Sequence, residues 1–228
     1  MDPRYNQRIG RLTPSDLTAL ARVYRAAFPA SALTVLGAGS VRRYYEWLMT
    51  GPHNAVYLGL WADDILSGFC ICGRFRGALT GFVRRNAGYL TMQMLLHPSL
   101  WIRPKVRRGV RLALRLIGLR RKRRGNAPKP SRGEPSFGVL ALGVLPEKQG
   151  RGIGRRLMEE ATHVARARGF RRMHLTVAAS NERAIRLYSS QGWRIENREN
   201  ENLYMTRTLG AEEAPRPGAE GNECGARS

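Results

Sequence analysis

The 228-residue chain has little of what ties proteins together from outside the core. It has only 3 cysteines and 4 histidines. Cys70 and Cys72 lie two apart on an expected strand, where alternate side chains share a face, so buried free thiols are expected rather than a disulfide, and Cys224 falls near the end of the sequence. No His or Cys spacing suits a metal, and none is expected. No apolar run is long enough to cross a bilayer, and the polar start at Met1, Asp2, Pro3 and Arg4 does not read as a secretory signal, so the cytoplasm is the expected location. Acid is missing in one place above all. Between Ile65 and Gly133 there is no Asp or Glu, while 17 Lys or Arg stand there, against a net charge of +22 for the whole chain. Only Lys105, Lys122, Lys129 and Lys148 are lysines among the 39 basic residues. A GC-rich coding bias explains Arg in place of Lys but not the missing acids.

What is present fits one domain with one insertion. The length suffices for a full core. The insertion is placed at 76–134, and the tail at 209–228, rich in Gly, Ala, Glu and Pro, is expected to be disordered. Within the insertion, residues 104–121 have helical order: Val106, Val110, Ala113, Leu114, Leu116 and Ile117 fall on one side, Arg107, Arg108, Arg111 and Arg115 on the other. Leu95, Leu96, Leu100, Trp101 and Ile102 precede it, and the basic run 120–124 follows. An anionic membrane surface contacted through 95–124 is one reading of this pattern. A helix packed on its own domain with solvated arginines is another. Nucleic acid fits less well, because aromatic and basic residues are not interleaved.

The chemistry-bearing stretch is 142–157. Apolar Leu142, Gly143, Val144 and Leu145 read as a strand. Gln149, Gly150, Arg151, Gly152, Ile153 and Gly154 form a glycine-rich loop, and Leu157, Met158, Ala161, Val164 and Ala165 follow at helical spacing up to Gly169. A strand–loop–helix junction offers free backbone N–H groups and the positive end of a helix dipole to an anion, with Arg151, Arg155 and Arg156 adding charge. The glycine order is neither a dinucleotide fingerprint nor a P-loop. Further on, 173–177 reads as a buried strand, and Asn181 can cap a helix with the stripe Ala184, Ile185, Leu187 and Tyr188, closed by Gly192 before Trp193.

The spacing Gln149-x-x-Gly152-x-Gly154 after a strand ending in Leu145 and Pro146 resembles the coenzyme A loop of the GNAT superfamily of N-acetyltransferases. The series Asn181, Ala184, Leu187, Tyr188, Gly192, Trp193 resembles the second signature of the same superfamily. The front of the chain agrees in order: a short strand at 8–12, a helix started by Thr13, Pro14, Ser15 and Asp16 and running over 17–28, a second helix at 40–49, and a hairpin of 55–61 and 65–72 around Ala62, Asp63 and Asp64. The resemblance covers about 10–75 and 135–208. It implies an α/β fold with a central mixed, splayed sheet flanked by helices, carrying the basic amphipathic helical insertion, with 1–208 as a single acyl-CoA N-acyltransferase domain.

The resemblance also implies an activity and a site. Acetyl-CoA would be the acyl donor and a primary amine the acceptor, with direct attack in a ternary complex, possible at the inner face of a membrane if the insertion docks there. Leu142, Gly143 and Val144 would hold the pantetheine and polarise the thioester. Gln149, Gly150, Arg151, Gly152, Ile153, Gly154 and Arg155 would contact the pyrophosphate, with Asn181 near the cofactor. Tyr188 would be the general acid for the departing thiolate. The base is open. No Glu stands on 137–145, where several family members carry one. A lone His on an apolar strand is more often a satisfied core residue, yet His174 on the next strand has a suitable ordinary pKa, and water is an equal alternative. Glu46 and Tyr45 on the second helix read first as a helix surface pair, with lining of an acceptor cleft as the alternative. A non-catalytic GNAT-like protein that binds an anionic membrane or RNA is the reading from another class.

Overall fold

The computed structural model describes residues 7–75, 78–96 and 135–210. The basic helix expected at 104–121 and the tail after Gly210 lie outside the described residues. In chain order the elements are β1 (Gln7–Arg11), a 3-10 turn (Pro14–Asp16), α1 (Leu17–Ala27), α2 (Ala32–Val35), α3 (Ala38–Thr50), β2 (Asn54–Ala62), β3 (Ile65–Arg74), α4 (Ala78–Arg85) and α5 (Ala87–Leu96). After the undescribed stretch come β4 (Phe137–Val144), a second 3-10 turn (Pro146–Lys148), α6 (Ile153–Ala167), β5 (Arg172–Ala178), α7 (Glu182–Ser189), β6 (Arg194–Glu199) and β7 (Asn202–Thr208).

Local chemistry explains most of these boundaries. The Asp16 carboxylate accepts from the Thr13 backbone N–H at 2.8 Å and from its hydroxyl at 2.9 Å, which fixes the chain just before α1. Leu17, Leu20, Ala21 and Val23 then bury one face of α1. Asp63 and Asp64 both have positive φ, 54° and 58°, the left-handed pair that matches the twist of a two-residue hairpin between β2 and β3. α2, α4 and α5 carry no cap or stop signal that the sequence reading used. β6 is exposed at every position, so it lacks the apolar alternation by which a strand is recognised.

The seven strands form one mixed sheet in the order β1-β2-β3-β4-β5-β7-β6. Among the described strands only β4 and β5 pair in parallel, joined by the crossover helix α6. The sheet separates two cores. On one side α6 and α7 pack over it, burying Leu58, Cys70, Cys72, Leu157, Met158, Leu175, Tyr188 and Met205 among others. On the other, α1, α3 and α4 cover its first half with an aromatic-rich core containing Tyr44, Tyr45, Phe69 and Phe82. Cys70 and Cys72, in the core under α6 and α7, are both buried and unbridged, as expected of free thiols. No described helix is long and apolar enough to cross a membrane.

Candidate active site

The site begins where two parallel strands part. β4 follows β3 from Gly138 to Val144, yet meets β5 at only three positions, Phe137 with Met173, Gly138 with His174 and Val139 with Leu175. The break coincides with a bulge. The β3 register jumps from Ile71 opposite Ala141 to Cys72 opposite Val139, leaving Leu140 as the extra residue, with its side chain 40% exposed. Backbone direction alternates along a strand. The Leu145 N–H donates to Ser67 on the β3 side, so Gly143 also turns its polar groups toward β3. Leu142 and Val144 therefore turn theirs into the gap. The Val144 carbonyl accepts from the Gln149 side chain at 3.1 Å, while the Leu142 N–H and C=O and the Val144 N–H have no strand partner among the described residues. Gly143 serves differently: a Cβ there would stand 2.7 Å from Phe69 and 3.2 Å from Phe28, so its bare backbone makes room for the aromatic core behind the gap.

The glycine-rich loop closes the end of this gap. Gly150 and Gly152 take φ of 84° and 76°, which other residues adopt only under strain, and Gly152 is the N-cap of α6. The first intrahelical bond of α6 runs from the Arg156 N–H to the Gly152 carbonyl. The N–H groups of Ile153, Gly154 and Arg155 thus have no carbonyl within the helix. A Cβ added at Gly152 would meet nothing within 4 Å, so the N-cap of α6 is uncrowded there. Gly154 has a second use. A Cβ there would lie 3.2 Å from Leu187, so this glycine lets α6 and α7 approach. Arg155 is drawn to Glu159 at 2.8 Å, and Arg156 donates to Gln7 at 2.6 Å, while exposed Arg151 makes no ion pair among the described residues. Backbone donors, a helix N-terminus and an unengaged Arg suit a phosphate.

Tyr188 stands beside the gap. Its ring is buried, 6.0 Å from that of Trp193, and it belongs to the same core as Cys70, the strand partner of Leu142. Its hydroxyl has no hydrogen-bond partner among the described residues and is not sealed away. Burial, reinforced by Cys70, raises its pKa, so the phenol keeps its proton through the neutral range. Asn181 caps α7, its side-chain oxygen accepting from the Ala184 N–H at 3.2 Å. These residues and the loop are brought together. His174 sits apart, at the paired end of β4 and β5. Its Nδ1 is 2.8 Å from the Ser136 hydroxyl, its Nε2 would be 2.9 Å from a Cβ on Gly138, and its ring stacks on Tyr204 at 5.8 Å. Burial, then nearby Arg172, lowers its pKa. Tyr45 is buried in the aromatic core against Phe69, and Glu46 is exposed on α3. The sequence reading missed Arg183, which donates to the Gln149 side chain at 2.7 Å. Its position in the first turn of the capped helix was the available signal. No cluster of three or more His, Cys, Asp or Glu side chains suited to a metal occurs among the described residues.

Comparison with known proteins agrees with this geometry. The family model described as the acetyltransferase (GNAT) family matches residues 18–193. A mycothiol acetyltransferase of Jonesia denitrificans is 45% identical over 58 residues, which is 25% of this chain and 18% of that protein. The chain thus matches less than a fifth of that relative's length. Among solved structures, the PaiA N-acetyltransferase of Thermoplasma acidophilum in complex with coenzyme A superposes with a TM-score of 0.54 at 14% identity, covering 89% of this chain and 99% of that one. YncA from Salmonella typhimurium, with its cofactor acetyl-CoA, superposes with a TM-score of 0.52 at 16% identity, covering 92% and 98%. At such identities the likeness is one of fold. With the family model spanning most of the chain, and the parted strands, left-handed loop and capped helix in their expected order, the protein belongs to the acetyltransferase (GNAT) family.

Proposed function

We propose that the chain transfers an acetyl group from acetyl-CoA to a primary amine by direct attack in a ternary complex. The observation that carries this reading is the gap between β4 and β5, edged by unpaired backbone groups and ended by a loop with free N–H donors. The N–H groups of Ile153, Gly154 and Arg155, with Arg151, would hold the pyrophosphate. The bound thioester supplies the activated acetyl group. An N–H of Leu142 or Val144 would polarise its carbonyl, as fixed dipoles aimed at developing charge do. Tyr188, protonated by its buried setting, would give its proton to the departing sulfur as the C–N bond forms and the C–S bond breaks. The amine proton passes to water in the open gap, with His174 as the competing acceptor. The short match to a mycothiol acetyltransferase supports acetyl transfer, and the acceptors to try are a panel of primary amines. Calorimetry with coenzyme A, followed by thiol release from acetyl-CoA over the panel, tests the reading. Absence of coenzyme A binding refutes it, and tight binding without turnover on any amine favours a non-catalytic member.

A second reading concerns location. α5 has no charged residue along its length, and Met92 and Leu79 on this arm are 56% and 45% exposed. In sequence they fall within the acid-free, basic stretch from Ile65 to Gly133. We propose that this arm rests on an anionic membrane surface, giving the protein a peripheral position on the inner face. Sedimentation with phosphatidylglycerol vesicles tests it. Binding should weaken with salt and with Met92→Ser, because both charge and apolar burial contribute. Salt sensitivity with no effect of Met92→Ser, and competition by RNA, would point to phosphate binding instead.

A further inference from the structure

Gln149 and Arg183 are 34 residues apart in sequence and belong to different parts of the site. Gln149 ends the 3-10 turn ahead of the loop, whereas Arg183 is in the first turn of α7, the helix of Tyr188. The Gln149 amide is used at both ends. Its Nε2 donates to the Val144 carbonyl at 3.1 Å, and its Oε1 accepts from Arg183 at 2.7 Å. Each partner demands the amide atom it meets, since a carbonyl takes only a donor and a guanidinium only an acceptor. The bridge thus runs from the last residue of β4, across the side chain that opens the loop, to the acid-bearing helix.

The placement of Arg183 has no evident reason in stability. A cation in the first turn of a helix opposes the helix dipole. Glu182, the neighbouring acid, is directed to Arg186 at 3.2 Å. Arg183 is exposed, and exposed polar contacts contribute little to folding. Yet its guanidinium lies over the loop, 3.6 Å from where a Cβ of Gly150 would be, with donors to spare after the bond to Gln149.

We infer that Arg183 is a positioning residue: through the Gln149 amide it ties the phosphate loop to the helix that carries Tyr188, so that seating of the cofactor and alignment of the acid are set together. This rests on the coenzyme A reading of the loop. In this arrangement Gln149 holds the first residue of the loop against Val144, and Arg183 holds Gln149. Loss of either link frees the loop at Gly150 and lets α7 drift from β4.

A double-mutant cycle with Arg183→Ala and Gln149→Ala tests the inference, with the dissociation constant of coenzyme A and the separate kcat and KM for acetyl-CoA as readouts. Each single variant should weaken coenzyme A binding by about fivefold or more and lower kcat as well, and the double variant should be little worse than either. Arg183→Lys, which can still donate to Gln149, should recover most of the loss. Gln149→Glu should not, because it keeps the Arg183 contact and loses the donor to Val144. Melting temperatures should stay near wild type, which separates positioning from a structural effect. Additive losses, a change in KM alone, or unaltered constants in Arg183→Ala would overturn the inference while leaving the cofactor site in place. Failure of the wild-type protein to bind coenzyme A would overturn the cofactor reading and this inference with it.

Discussion

Gly152 and Gly154 look equivalent in the loop, but the structure assigns them different work, and a pair of substitutions separates the two. Gly152 has φ of 76° and open space where a Cβ would point. Alanine there costs about 1–2 kcal/mol in the left-handed region. In a chain of this size that lowers the melting temperature by roughly 2–4 °C per kcal/mol. The added methyl also fills open space at the N-cap of α6, where an anion drawn to the helix N-terminus would come. Coenzyme A affinity should fall by about tenfold or more, equivalent to about 1.4 kcal/mol. Asparagine at the same position tolerates the left-handed conformation, so Gly152→Asn should spare stability while still losing affinity. At Gly154 the Cβ would face Leu187 at 3.2 Å and not the anion. There the helical gain of Ala over Gly, about 1 kcal/mol, opposes a contact that the flexible end of Leu187 can relieve. Gly154→Ala should therefore keep coenzyme A affinity within about threefold of wild type. Calorimetric titration of the three variants, with thermal melts, decides the matter. Equal losses of affinity at both positions, or undiminished affinity in Gly152→Asn, would refute the division of roles.

Two further outcomes follow from the site. Tyr188→Phe keeps the ring against Trp193 and removes only the hydroxyl, so kcat should fall by roughly 100-fold with the coenzyme A dissociation constant unchanged; normal turnover in a chemistry-limited assay would return Tyr188 to a packing role. His174 is held below its ordinary pKa in the folded protein, so the unfolded chain binds more protons over the window just below pH 6.5 and stability falls as the pH drops through it. His174→Gln should flatten the decline of the urea midpoint between about pH 7 and pH 5, and turnover should stay within about threefold of wild type if water takes the amine proton. A large loss of turnover at neutral pH would instead make His174 the base.

Segments whose structure is set by neighbours in the chain were legible in the sequence. The helix after the loop is announced by its glycines and by apolar spacing from Leu157 to Ala165, and α6 spans Ile153–Ala167. Asn181 caps α7 as its residue type suggests, and the pair Asp63 and Asp64 makes the hairpin turn. β6 was not legible, because an exposed strand, Arg194–Glu199, need not alternate apolar and polar residues. The short helices α4 and α5 lacked distinguishing caps in a stretch read mainly for its charge.

Tyr188 as the acid is what the family resemblance implies; the glycine-rich loop, the helix after it and the Asn181 cap were determined by the sequence itself. Their signals are local: periodicity, capping chemistry and the steric freedom of glycine act within a few residues. The site as a working arrangement was decided only by tertiary structure. The parting of β4 from β5 after Val139 depends on a bulge at Leu140 that no residue type advertises. Which backbone groups face the gap follows from strand register, so Leu142 and Val144 present theirs while Gly143 turns toward β3. The contact of Gly154 with Leu187 and the link from Arg183 through Gln149 to Val144 join residues far apart in the chain. Such contacts exist only after the sheet and its two helices have packed, because no local preference brings distant side chains within hydrogen-bond reach.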